Sequence, residues 1–161
     1  MEVNKILSKA KTERKKHKKL FERLNKQSKS TVDSYIHSAH QQVFSCIDCL
    51  KCANCCITTG PLFNNKDIVR IARYLKVKPG DFIQKYLKMD EDEDYVLQKV
   101  PCVFLDSSSN KCEIYDVRPK ACAEYPHTDM KGQMKIKKLT LKNTEVCPAV
   151  PMILDAVEKK L

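Results

Sequence analysis

Five thiols fall within eleven positions, Cys46-Ile-Asp-Cys49-Leu-Lys-Cys52-Ala-Asn-Cys55-Cys56, and four more follow at Cys102, Cys112, Cys122 and Cys147. A tight turn brings sulfurs three positions apart to the tetrahedral spacing that zinc or an iron of a cluster needs, so the stretch reads as a metal knuckle. The competing reading is a disulfide framework. Against it, residues 1–29 hold no apolar run of the kind a secretory signal needs, nine thiols leave one over, and successive Cys-x-x-Cys gaps suit a shared ion better than crosslinks between distant segments. Metal on free thiols implies a reducing, cytoplasmic setting.

Adjacent side chains diverge by about 100° on a helix and about 180° on a strand, so one tetrahedral ion seldom takes both Cys55 and Cys56. Two centres, or one centre with spare thiols, are both open at this point. Cys46-x-x-Cys49-x-x-Cys52-x-x-x-Cys56 also has the spacing of a bacterial ferredoxin run, with Ile57 where proline would stand and no second run in the chain. That spacing favours iron over zinc. No Gly-rich nucleotide fingerprint, radical-type Cys-x-x-x-Cys-x-x-Cys or Ser/His/Asp set is recognisable.

The elements that hold these thiols are legible in part. With 42% apolar residues, 7% aromatic and no Trp, 161 residues make a modest core that a metal would help to fold. No apolar stretch approaches the roughly 20 residues of a membrane span. Residues 1–29 carry 11 Lys and Arg against 3 Glu, so most of the net +10 lies there. Val3, Leu7, Ala10, Phe21, Leu24 and Tyr35 recur at helical spacing, which predicts long helix over residues 1–45 with a break near Ser28–Ser34. Arg14, His17, Ser28 and Thr31 on the same face argue against an uninterrupted coiled coil. Lys9, Lys11, Lys15, Lys16, Lys18 and Lys19 would attract an acidic or nucleic-acid partner, or form a solvated helix face. His37 and His40, one turn apart, are either ligands or polar surface.

Beyond the knuckle, Asn64–Asp67 offers caps for a helix burying Ile68, Ile71, Ala72 and Leu75, and Pro79 opens a second burying Phe82, Ile83, Tyr86 and Leu87. The acidic run Asp90–Asp94 lacks the ligand spacing of a calcium loop. Tyr95–Val100 and Cys102–Leu105 read as extended, and turn chemistry at Asp106–Asn110 returns Cys112–Tyr115 as a hairpin partner, bringing Cys102 near Cys112. Arg118-Pro119 starts a short helical turn that presents Cys122. Met134–Lys142 alternates as a strand does, and Pro151 opens a terminal helix with Ile153, Leu154, Val157 and Leu161 on its apolar side.

These motifs together resemble the YkgJ-type cysteine-cluster family, described as zinc- or iron-chelating domains. The likeness rests on Cys49-x-x-Cys52-x-x-Cys55-Cys56, on Asp67, Arg70, Ile71 and Ala72 in the following helix, and on Pro101-Cys102-Val-Phe104-Leu105. Cys112-Glu-Ile-Tyr115, Arg118-Pro119-Lys-Ala-Cys122, Tyr125-Pro126 and the late Cys147-Pro148 complete it. The resemblance implies metal ligands at Cys49, Cys52, Cys55, Cys56, Cys102, Cys112, Cys122 and Cys147, with Cys46 outside the set. Ala53 stands where the family has glycine, and His127 follows Tyr-Pro where an apolar residue is usual. Some relatives are labelled iron–sulfur oxidoreductases, and a flagellin lysine methylase has a similar cluster; no reaction follows from these residues.

The expectation is a mainly α fold with a short β element, a small α+β protein. A basic helical arm (1–45) precedes a metal-stabilised cysteine-cluster domain (46–161). It carries an iron–sulfur cluster, of the 4Fe-4S kind, for redox or cluster-assisted chemistry, or alternatively is a zinc-stabilised interaction module.

Overall fold

A computed structural model of the chain describes residues 2–161. In chain order the helices and strands are α1 (Val3–Thr12), α2 (Arg14–Leu24), α3 (Lys29–Phe44), α4 (Cys49–Cys52), α5 (Asn54–Thr58), β1 (Leu62–Phe63), α6 (Asn65–Tyr74) and α7 (Pro79–Tyr86). They continue with β2 (Leu87–Met89), β3 (Tyr95–Leu97), β4 (Leu105–Asp106), β5 (Lys111–Cys112), α8 (Lys120–Glu124), α9 (Lys137–Asn143) and α10 (Ala149–Glu158). The fold is mainly helical with short β elements. The described residues form two compact units, one running up to residue 52 and including 126–161 and one of residues 53–125, a division that differs from a helical arm ending at residue 45.

In the first unit, α10 is the central apolar helix: Val150, Ile153, Leu154 and Val157 are fully buried, and it packs against α1, α2 and α3. Those helices supply Leu7, Ala10, Leu20, Phe21, Leu24, Val32, Ile36 and Ala39. At about 1.5–3 kcal/mol for each large side chain removed from water, this stripe is a main part of the unit's core. The arm is therefore not simply a solvated face. Lys11, Lys15, Lys18 and Lys19 are exposed as expected, but Lys16 reaches Asp155 and Glu158, each at 2.8 Å, and Lys9 lies 3.6 Å from Asp155. His17, which interrupts the apolar periodicity, is itself buried. The break before α3 is a capped start, Thr31 N–H donating to Ser28 Oγ at 3.1 Å.

Residues 134–142 do not form the expected strand. A turn at 134–136 leads into α9, whose buried Thr140 and Asn143 are three apart, and Thr140 Oγ1 donates back to the Ile136 carbonyl at 3.3 Å. The Met/Lys/Ile/Lys alternation fitted both periods, and packing against α2 selects the helix. Asp33 of α3 fixes the preceding turn by accepting from the Gly132 and Gln133 amides at 2.8 and 2.9 Å. The terminal helix begins two residues ahead of Pro151, and Leu161 is exposed.

The second unit is built on a three-stranded antiparallel sheet in the order β1-β3-β2, with α6 and α7 packed around Phe82. Phe82 is fully buried and stacks on Phe104, ring centroids 6.2 Å apart. Phe63, Ile68, Ile71, Ala72, Leu87, Leu97 and Ile114 complete this core. As expected, α6 opens on Asn64: its side chain caps the Asp67 amide at 2.9 Å while the Asp67 carboxylate takes the Asn64 N–H, a full capping box. The expected hairpin is β4–β5, with Leu105 opposite Cys112.

Candidate metal centre

Within the second unit five thiols come from four places. Cys55 and Cys56 lie on α5, which is entered through Ala53 in the left-handed region at φ 48°, a conformation that glycine would adopt without strain. Cys102 is tied to that helix by its amide, which donates to the Cys56 carbonyl at 2.7 Å. Cys112 is set by its place in β5, and both it and Cys102 pack on the aromatic core. Cys122 rides on α8.

What fixes α8 is a carboxylate. Asp67 is 1% exposed; its Oδ1 accepts from the Lys120 amide at the start of α8 at 3.1 Å and from Arg70 at 2.6 Å. Arg70 also donates to the carbonyls of Val117 and Arg118 at 3.3 and 2.8 Å, so one charge pair clamps both sides of the Arg118-Pro119 turn that presents Cys122. The Asn64-x-x-Asp67 cap was readable from sequence; the clamp across about fifty residues was not. Asp67→Ala removes a buried charge-assisted set, and such bonds contribute about 1.5–3 kcal/mol each. The expected outcome is a loss of about 2–3 kcal/mol together with faster metal release to a chelator. Arg73→Ala, on an exposed position of the same helix, should change neither.

The four thiols Cys56, Cys102, Cys112 and Cys122 lie close enough to act on one another electrostatically. Burial first, and then the charges of Cys56, Cys102 and Cys112, push the Cys122 thiol up to about 12. Cys102 is pushed up to about 11 by burial, with Cys56 and Cys112 adding to it, and Cys112 is raised by burial and by Cys56. Cys56 is raised further still, by a hydrogen bond with Cys55, by burial and by the Cys55 charge. Thiol donors are soft and suit zinc or iron rather than calcium or magnesium, although among the described residues no three of these sulfurs lie within 4.8 Å of one another. Since these thiols are protonated at neutral pH, metal uptake must release protons. Affinity should rise with pH, with up to four protons released per ion, as read in a weakly buffered titration. The sign for the metal-free chain is opposite. A thiol whose folded pKa exceeds its ordinary value of 9.0 stabilises the fold below that value, so stability falls as pH climbs from about 9 to about 12.

The first unit holds Cys46, Cys49, Cys52 and Cys147. Cys147 is buried, which pushes its thiol up to about 12, and the charges of Cys49 and Cys52 raise it further. These three therefore form a second neighbourhood, with α4 supplying the Cys49-x-x-Cys52 pair. Cys46 is exposed, 3.6 Å from Ser45 Oγ. His37 and His40 engage polar side chains of the 128–129 turn: His37 Nδ1 lies 2.6 Å from Asp129, and His40 Nδ1 lies 2.8 Å from Thr128 Oγ1. The His127 carbonyl accepts from Gln133 Nε2 at 2.8 Å. All nine cysteines are free of disulfides. A trio that sequence reading missed, Glu13, His17 and Asp155, brings its ligand atoms within 4.8 Å of one another.

Comparison with known proteins gives the same signature. The chain is 36% identical over 95 residues to the uncharacterized protein MJ0661 of Methanocaldococcus jannaschii, a stretch that covers 58% of this chain and 50% of the relative. The chain thus spans about half the length of that curated relative. No solved structure matches. No helix among the described residues is long and apolar enough to cross a membrane. The CxxCxxCC pattern, described as "Putative zinc- or iron-chelating domain", matches residues 48–148, from just before Cys49 to just after Cys147, and the chain belongs to that family.

Proposed function

We propose that the second unit carries an iron–sulfur cluster on Cys56, Cys102, Cys112 and Cys122, and that the first unit holds a separate ion on Cys49, Cys52 and Cys147. What supports this reading is that four thiols, from α5, the 102 loop, β5 and α8, lie near enough to perturb one another electrostatically. Structural zinc sites are built from Cys-x₂₋₄-Cys pairs, and no two members of this set are so spaced. Each sulfur comes from a separate element, and Cys102 and Cys112 lie against the aromatic core, which suits a larger inorganic body whose potential is tuned by burial. Cys49-x-x-Cys52, by contrast, is a zinc-type knuckle pair. A cluster so held supports electron transfer or Lewis-acid chemistry in a reducing cytoplasm, and the exposed lysines of α1 and α2 offer an acidic partner a docking charge.

Anaerobic purification followed by iron, sulfide and zinc analysis tests this. Brown protein with iron, acid-labile sulfide and visible charge-transfer absorption is expected. Colourless protein holding only zinc would establish the alternative, a zinc-stabilised interaction module without redox chemistry.

A further inference from the structure

The first unit contains a histidine whose burial the thiol centres do not explain. His17 of α2 is 1% exposed, and neither Nδ1 nor Nε2 has a hydrogen-bond partner, an unusual state for a buried imidazole. Its Nε2 is directed toward Asp155 of α10, 3.8 Å from Oδ1, too long for a hydrogen bond. Glu13, at the junction of α1 and α2, completes the trio whose ligand atoms lie within 4.8 Å of one another. Both carboxylates are about three-quarters buried, with side-chain exposures of 26% and 27%.

We propose that Glu13, His17 and Asp155 form a nitrogen- and oxygen-donor site for a borderline divalent ion such as zinc or cobalt(II), separate from the thiol centres. One imidazole and two carboxylates are a recognised three-ligand set, with solvent in the fourth position, and a neutral buried imidazole is the form that ligates. The trio joins three helices, so an ion there would staple the junction of the arm helices to α10. Two lysines compete for the same oxygens. Lys16 sits 2.8 Å from Asp155 Oδ1, yet its second partner Glu158 can retain it while Asp155 keeps lone pairs for a metal. Lys9, with 62% of its side chain exposed, approaches Glu13 at 3.7 Å and Asp155 at 3.6 Å, and must swing away. The site is therefore one whose affinity Lys9 holds down.

The test uses the full chain, isolated anaerobically with its thiol centres loaded, titrated with cobalt(II) and then back-titrated with zinc. The expected result is one additional equivalent with weak d–d bands and no sulfur-to-cobalt charge transfer, displaced by zinc. His17→Asn should lose that equivalent without changing the thiol-bound metal. Lys9→Gln should bind it about fivefold tighter or more, because a positive charge about 4 Å away is removed. Should His17→Asn fail to fold, Glu13→Gln replaces it, with the same loss expected. The proposal is overturned by the absence of an extra equivalent, by its persistence in either ligand variant, or by unchanged or weaker binding in Lys9→Gln.

Discussion

Stripping the metal from the reduced protein at neutral pH should unfold the second unit. Its apolar core is one cluster of nine buried residues around Phe82, and the thiols that would hold the ion come from elements up to 66 positions apart, Cys56 to Cys122. Binding of a structural ion by thiolates contributes about 10–16 kcal/mol at pH 7 in small zinc domains, as much as the whole net stability of about 5–15 kcal/mol typical of a domain. Without the ion, α5, β5 and α8 lose what joins them, and the short strands have little of their own to keep register. Amide exchange before and after chelation measures this directly. Protection at Leu97, Phe104 and Ile114 should disappear, and an apo form with unchanged protection would remove the metal from the folding argument.

Cys56→Ser should give the second large effect. Cys56 acts on each of the other three members of its set: its charge raises Cys102, Cys112 and Cys122. A serine hydroxyl is a poor substitute for a thiolate on a soft ion, so the variant should lose the second unit's centre, seen as bleached absorption and lower metal per chain. Cys55→Ser should also disturb it, since Cys55 shares a hydrogen bond with Cys56. Cys46→Ser is the control: exposed and outside the family pattern, it should leave metal content unchanged. If Cys46→Ser bleached the protein while Cys55→Ser did not, the ferredoxin-like register would be the correct one.

The sequence was most informative where local chemistry and tertiary structure agreed. Turn residues between Cys102 and Cys112 imposed the hairpin, and Asn64 and Pro79 marked helix starts that the structure retains. It was least informative where one pattern served two periods, as at Met134–Lys142. It also concealed the core of the first unit. Lysines crowd the apolar stripe of α1 and α2 so densely that the charge dominates, although Leu20, Phe21 and Leu24 are all buried. Their partner helix lies more than a hundred residues downstream, and no local signal announces so distant a contact. The same distance hid Asp155 from Glu13 and His17.

That separation has a consequence for how the protein is made. The strands and helices of residues 53–125 emerge between the two chain segments that compose the first unit. At about 5–20 residues per second, the stretch from Leu24 to α10 takes roughly 6–25 s to synthesise, during which the greasy side of α1 and α2 lacks its α10 partner. The lysines flanking that stripe then suit a gatekeeper role, their charge opposing association between the waiting helices of different chains until α10 arrives to cover them.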